Sequence, residues 1–164
     1  SDVYKRQHHA PAMSLFAVPT ITGYKRYRAH SLAPERISWS HDGRGALVRA
    51  LCRSGDAASR VENRGGEPAA NPYPYLASQM FAGLDGITAG REAPPAAADA
   101  YDDALPRLPS SLDEALALAR DDAFVRDRFG ATCVDCYAPI KQAELTSFAA
   151  HVGDWEHNAY FAAF

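Results

Sequence analysis

Arg60-Val61-Glu62-Asn63-Arg64, followed by Gly65-Gly66-Glu67-Pro68-Ala69-Ala70-Asn71-Pro72-Tyr73, is the stretch on which the fold turns. Its first five residues read as a short strand, and alternate side chains of a strand share a face. Arg60, Glu62 and Arg64 therefore project together, with neighbours roughly 6–7 Å apart. Then the period changes. Asn71 suits an N-cap and Pro72 the first helical position. Leu76, Met80, Leu84 and Ile87 follow at helical spacing, and the helix ends near Gly90.

Working outward toward the N-terminus, Ile37-Ser38-Trp39-Ser40 and Ala46-Leu47-Val48-Arg49-Ala50-Leu51 read as two more strands. His41-Asp42-Gly43 and Ser54-Gly55-Asp56 separate the three, and such short gaps favour antiparallel pairing. Toward the C-terminus, the prolines at 94, 95, 106 and 109 make Glu92 to Pro109 a loop. Ser111-Leu112-Asp113-Glu114 is a capping box, and Leu112, Leu116 and Ala119 line one face of the helix it opens. A short helix stops at Gly130. A longer one runs from about Thr132 to about His151, with Val134, Tyr137, Leu145 and Phe148 on its apolar side and a kink expected at Pro139. Strands first and helices after reads as α+β, with the strands antiparallel.

Nothing in the composition departs from a globular domain: 164 residues, 47% hydrophobic and 23% charged. No apolar run approaches the ~20 residues that span a bilayer. Three cysteines, Cys52, Cys133 and Cys136, are too few and too odd in number for a disulfide scaffold, so a reducing cytoplasm is expected. The chain does not begin with Met. Residues 1–7 read as a non-native leader, leaving 8–164 as part of a longer protein.

Charge is unevenly spread. Tyr24 to Arg64 holds nine Lys/Arg against four Asp/Glu, whereas Gly65 to Phe164 holds six against fifteen. A basic segment inside an acidic chain points to a local anionic ligand. Glu62, between two guanidiniums, can ligate a hard cation such as Mg²⁺ or Mn²⁺ while Arg60 and Arg64 hold anionic oxygens. On pattern alone, a salt-bridged surface strand would look the same. Arg44, in Asp42-Gly43-Arg44-Gly45, and Arg49 on the next strand add two more candidate phosphate contacts. Tyr24-Lys25-Arg26-Tyr27-Arg28 interleaves aromatics with bases, but the run is short, the protein is acidic and no RNA-binding signature accompanies it, so no nucleic-acid partner is expected. Cys133-Val134-Asp135-Cys136 lacks a second pair, and its helical setting favours core-facing thiols over a zinc site. The histidines show no metal spacing, and His8, His9 and His157 are read as packing or facing solvent.

Taken in order, these pieces resemble the glutamine synthetase family. His8-His9-Ala10-Pro11-Ala12, Pro19-Thr20 and Tyr24-Lys25-Arg26 look like the approach to its glutamate-binding arginine. Arg44-Gly45-Ala46-Leu47-Val48-Arg49 is similar to its pair of nucleotide-phosphate arginines. The opening stretch, then Gly83-Leu84-Asp85-Gly86-Ile87, Leu108-Pro109-Ser110-Ser111-Leu112 and Asp154-Trp155-Glu156, follow in register.

That resemblance implies a ligase that uses ATP to phosphorylate the side-chain carboxylate of L-glutamate, after which ammonia or a larger amine displaces phosphate. It implies that Arg26 binds the glutamate carboxylate and that Arg44, Arg49 and Arg60 bind ATP. Glu62 would ligate Mg²⁺ or Mn²⁺, and Arg64 would contact substrate or the transferred phosphoryl group. By the same resemblance, Arg44 and Arg64 would carry the catalytic charge stabilisation. Homo-oligomeric rings are implied too. Two departures matter. The N-terminal β-grasp domain and the first part of the catalytic domain, with the other metal ligands, precede His8 in the family, so this stretch alone is expected to be inactive. Leu32, in His30-Ser31-Leu32-Ala33-Pro34, stands where ammonia-using members carry a glutamate, and an apolar side chain cannot accept a proton. The departure points to a branch using polyamines or aromatic amines. The runner-up is a non-catalytic homologue that keeps the fold.

Overall fold

In a computed structural model that describes residues 9–31 and 33–163, the three strands form one small sheet flanked by helices. Helix α1 spans Ala10–Ala17, and a 3₁₀ turn covers Gly23–Arg26. Strands β1 (Trp39–His41), β2 (Val48–Leu51) and β3 (Arg60–Asn63) come next. Helices α2 (Pro72–Thr88), α3 (Leu112–Asp121), α4 (Ala123–Phe129), α5 (Ala131–Ala149) and α6 (Asp154–Tyr160) complete the order. The α+β class stands. Residues 1–8 and Leu32 lie outside the described residues, and with them the leader, His8 and the Leu32 position.

Helix α1 is the element that periodicity did not signal, because it is buried on every side. Ala12 through Ala17 are all buried, so no polar face marks its period. Leu15 and Ala17 pack with Leu112, Ala115, Leu116 and Ala119 of α3, and Met13 and Phe16 with Val125 and Val134. The sheet closes a third apolar cluster of Leu47, Val48, Ala50 and Leu108.

β2 and β3 pair antiparallel as expected, but β1 and β2 are parallel, with Trp39 beside Val48 and His41 beside Ala50. The expectation failed on length. A three-residue strand is only about 10 Å long, so the segment from Asp42 to Leu47 can return to its start without a helical crossover. Asp42 makes the turn in a left-handed conformation, φ 55°.

Helix ends obey the sequence signals. The Asn71 side chain accepts from the Tyr73 N–H at 3.1 Å. At the other end Gly90, φ 60°, donates to the Ile87 carbonyl while Arg91 donates to Gly86, a Schellman closure. Ser111 caps α3 by accepting from the Glu114 N–H, whereas the Glu114 carboxylate turns to the N–H and hydroxyl of Ser110, completing only half of the box.

Two faces differ from their sequence reading. In α2 the buried side chains are Ser78 and Ala82, with Gly83 and Gly86, while Leu76, Met80, Leu84 and Ile87 are each more than half exposed. In α5, Cys133 and Cys136 are exposed thiols and not core-facing. Val134 and Ala138 define the buried stripe, and at 100° per residue positions 133 and 136 fall outside it. Tyr137 and Leu145 are half-buried and Phe148 is exposed. His9 packs as read, stacked on Phe124 at 3.6 Å with its Nε2 2.8 Å from Asp85. That hydrogen bond, with Arg91 nearby, holds the Asp85 carboxyl below the usual carboxylate range.

Candidate functional site

The antiparallel register sets Arg49 directly across from Glu62. Glu62 Oε2 lies 3.4 Å from Arg49 Nη1 and 4.0 Å from Arg64 Nη1, and Oε1 lies 3.1 Å from Arg60 Nη2. One carboxylate thus sits among three guanidiniums: Arg60 from its own strand, Arg64 just past the strand's end and Arg49 from the neighbouring strand. Arg60 and Glu62 of β3 and Arg64 just beyond it project together, and Glu62 keeps 28% of its side chain exposed.

The surrounding contacts orient these arginines. Arg49 also pairs with the Asp42 carboxylate and donates from Nε to the Asp42 carbonyl at 3.3 Å, and the first of these contacts raises its pKa above the usual guanidinium value. Arg64 Nε donates to the Arg44 carbonyl at 2.9 Å, so the β3 end fixes the backbone of the Gly-flanked turn. The Arg44 side chain itself is exposed. On the other side, Arg60 joins Arg53, His41 and Asp56 around an open cavity of about 240 Å³ at the end of the sheet.

Arg26 is placed by a second set of contacts. Its Nη2 donates to the Gly65 and Gly66 carbonyls, each at 2.7 Å, directly after the β3 motif. Tyr27 donates from its hydroxyl to the same Gly65 carbonyl at 2.7 Å, and burial pushes its pKa up to about 12. The Asn63 side chain accepts from the Gly65 N–H at 2.8 Å. The 65–66 corner therefore ties the Arg26 segment to β3. Sequence reading put Arg26 on a substrate carboxylate; here one of its nitrogens is spent on main-chain carbonyls, while Nε is buried with no hydrogen-bond partner among the described residues.

Glu67 is the residue that sequence reading passed over. Its Oε1 accepts from the Thr20 hydroxyl at 2.8 Å and the Thr20 N–H at 3.2 Å. The same carboxylate lies where a Cβ on Gly23 would stand, 2.2 Å from that point. Only glycine lets the 3₁₀ turn that carries Arg26 approach so closely. No local pattern announces a contact across 47 residues.

What this arrangement can hold follows from its donors. Guanidinium groups bind phosphate and carboxylate oxygens through paired N–H bonds. Among the described residues no group of three or more His, Cys, Asp or Glu side chains could hold a metal ion. Glu62 alone could offer a hard cation one or two oxygens and does not make a complete protein cage. Among the described residues no helix is long and apolar enough to cross a membrane.

Comparison with known proteins points to one family. Residues 6–160 match the family model described as "Glutamine synthetase, catalytic domain". A gamma-glutamylanilide synthase of Acinetobacter sp is 40% identical over 162 residues, covering 92% of this chain and 32% of that protein. A glutamine synthetase of Halobacterium salinarum is 34% identical, covering 95% and 36%. A gamma-glutamylethanolamide synthetase of Streptomyces coelicolor is 37% identical, covering 87% and 31%. The chain spans about a third of the length of the curated relatives it matches.

Proposed function

Because this chain belongs to the glutamine synthetase family, we propose that it supplies the C-terminal part of the catalytic domain of an ATP-dependent ligase joining the side-chain carboxylate of glutamate to an amine. The observation that carries the proposal is the ring of Arg49, Arg60 and Arg64 around Glu62. A scaffold has no use for four such groups converging on one accessible point.

ATP, when bound, would supply the phosphoryl group, and the divalent ion would neutralise its oxygens. Arg44 and Arg49 would bind the nucleotide phosphates, and Arg60 the nucleotide side, beside the cavity it shares with Arg53. Arg64 would face the transferred group, held in place by the Arg44 carbonyl. Glu62 would give the metal one oxygen. Arg26 would meet the glutamate carboxylate with the part of its guanidinium not engaged by Gly65 and Gly66.

The acceptor would be an amine larger than ammonia. Leu32 offers no base for ammonium, and two relatives carry names of amine ligases. The rest of the site, including further metal ligands, would come from other parts of a parent protein about three times as long, and the isolated chain would be inactive. The outward stripe of Leu76, Met80, Leu84 and Ile87 suits a surface covered in that parent, where homo-oligomeric rings would form. Three unpaired thiols suit a reducing cytoplasm.

The test is to incubate the parent enzyme with ATP, Mg²⁺, glutamate and a panel of amines and identify products by mass. A γ-glutamyl amide with stoichiometric ADP is expected. ATP- and glutamate-independent behaviour throughout would reject the assignment.

A further inference from the structure

Two aromatic rings meet between the segment that follows Arg26 and the Gly-flanked turn that carries Arg44, and neither belongs to the ion-binding cluster. The His30 and Tyr101 ring centroids lie 4.6 Å apart at an interplanar angle of 47°. They come from segments 71 residues apart, one following Arg26 and the other inside the proline-rich loop.

Both are anchored to the arms that carry the arginines. The Ser31 hydroxyl contacts the Arg26 carbonyl at 2.8 Å and the Arg28 carbonyl at 2.6 Å, tying the His30 turn back to the Arg26 segment. His30 itself is held at φ 60°, a left-handed conformation uncommon outside glycine. The phenol end of Tyr101 closes on Gly45: a Cβ there would stand 2.9 Å from its Cζ and hydroxyl oxygen. Gly45 directly follows Arg44, whose carbonyl receives Arg64. The pair thus bridges the arm proposed for glutamate and the arm proposed for phosphate, with His30 exposed and Tyr101 half-buried.

From this placement we infer that His30 and Tyr101 form the aromatic flank of the acceptor-amine subsite and select an aryl amine. The inference rests on the ligase reading given above. Stacking between offset or tilted rings favours a flat aromatic acceptor over an aliphatic one. Asp99 and Asp102 each accept one main-chain N–H, from Tyr101 and Ala104, and Asp103 pairs with Arg36, which orders the loop that carries Tyr101. An aryl amine is uncharged at neutral pH and needs no base to remove a proton before it attacks. Its nitrogen lone pair adds to the acyl carbon of γ-glutamyl phosphate, and the carbon–oxygen bond to phosphate breaks. Phosphate leaves with that electron pair, and the nitrogen releases one proton.

The test compares kcat/KM for aniline and for ammonia in the parent enzyme and in its Tyr101→Ala, Tyr101→Phe and His30→Ala variants. Tyr101→Ala should lower the aniline-to-ammonia ratio by roughly tenfold or more, the range of a lost pocket contact, with KM for glutamate and ATP unmoved. Tyr101→Phe should restore the ratio. The exposed His30→Ala should lower it in the same direction even if Tyr101→Ala fails to fold. Equal losses with both amines, no change in the ratio, or ligation of ammonia alone by the unaltered enzyme would each overturn the inference while leaving a ligase. No γ-glutamyl product with any amine would overturn the ligase reading itself.

Discussion

Arg49 and Glu62 face each other across the β2–β3 ladder, Nη1 to Oε2 at 3.4 Å, and that cross-strand pair fixes the centre of the candidate site. Register is the physical cause. Slipping β3 by one residue would turn Glu62 to the opposite face and leave Arg49 opposite Val61 or Asn63.

Glu62 should matter to chemistry far more than to stability. Its ion pairs are partly exposed, and such pairs contribute little. Glu62→Gln in the parent enzyme is expected to shift the melting temperature by no more than about 2 °C. It should lower kcat/KM by about 100-fold or more, the scale of removing a group that stabilises developing charge. Calorimetry and steady-state kinetics on one preparation check both.

The Gly23–Glu67 approach makes a coupled prediction. Gly23→Ala should destabilise by about 2–3 kcal/mol, since the new methyl meets a hydrogen-bonded carboxylate. Glu67→Ala removes both the obstacle and the Thr20 contacts. The double variant should therefore lose less than the sum of the single losses, by at least about 1 kcal/mol. Additive losses in denaturant titrations would show that the two residues do not meet.

Arg26→Lys should also weaken the fold. The shorter lysine side chain places its ammonium short of the Nη2 position from which Arg26 donates to the Gly65 and Gly66 carbonyls. A loss of about 1–3 kcal/mol is expected, read as a lower thermal midpoint, together with a raised KM for glutamate in the parent.

Those expectations mark where the sequence was legible. The β3 motif, the Asn71 cap, the Gly90 stop and the convergence of Arg60, Glu62 and Arg64 all follow from spacing within a few residues. Helix α1 gave no signal because it is buried on every side and has no polar face. The parallel β1–β2 pair escaped because the rule for crossovers assumes strands longer than three residues. Leu76, Met80, Leu84 and Ile87 reported a helix correctly but not the side that the described residues bury. Glu67 on Thr20, and Tyr101 on His30, are contacts between distant segments that only the folded chain brings together.

Alkaline pH should destabilise the protein, with buried Tyr24 and Tyr27 both contributing. Burial raises the Tyr27 pKa from 10 to about 12, with its hydroxyl donating to Gly65. A raised folded-state pKa gives stability that is complete below pH 10 and lost as pH climbs through 12. Ultraviolet titration should show late-ionising tyrosine accompanied by loss of structure, and Tyr27→Phe should reduce the steepness of that loss.

The most direct test of the central claim is Mn²⁺ binding by the parent enzyme in the presence of ADP, followed by electron paramagnetic resonance, with and without Glu62→Gln. If Glu62 and its arginines gather a metal and a nucleotide, the variant loses nucleotide-dependent Mn²⁺ affinity by about tenfold or more while remaining folded. Equal Mn²⁺ and ADP binding by both proteins would contradict the account.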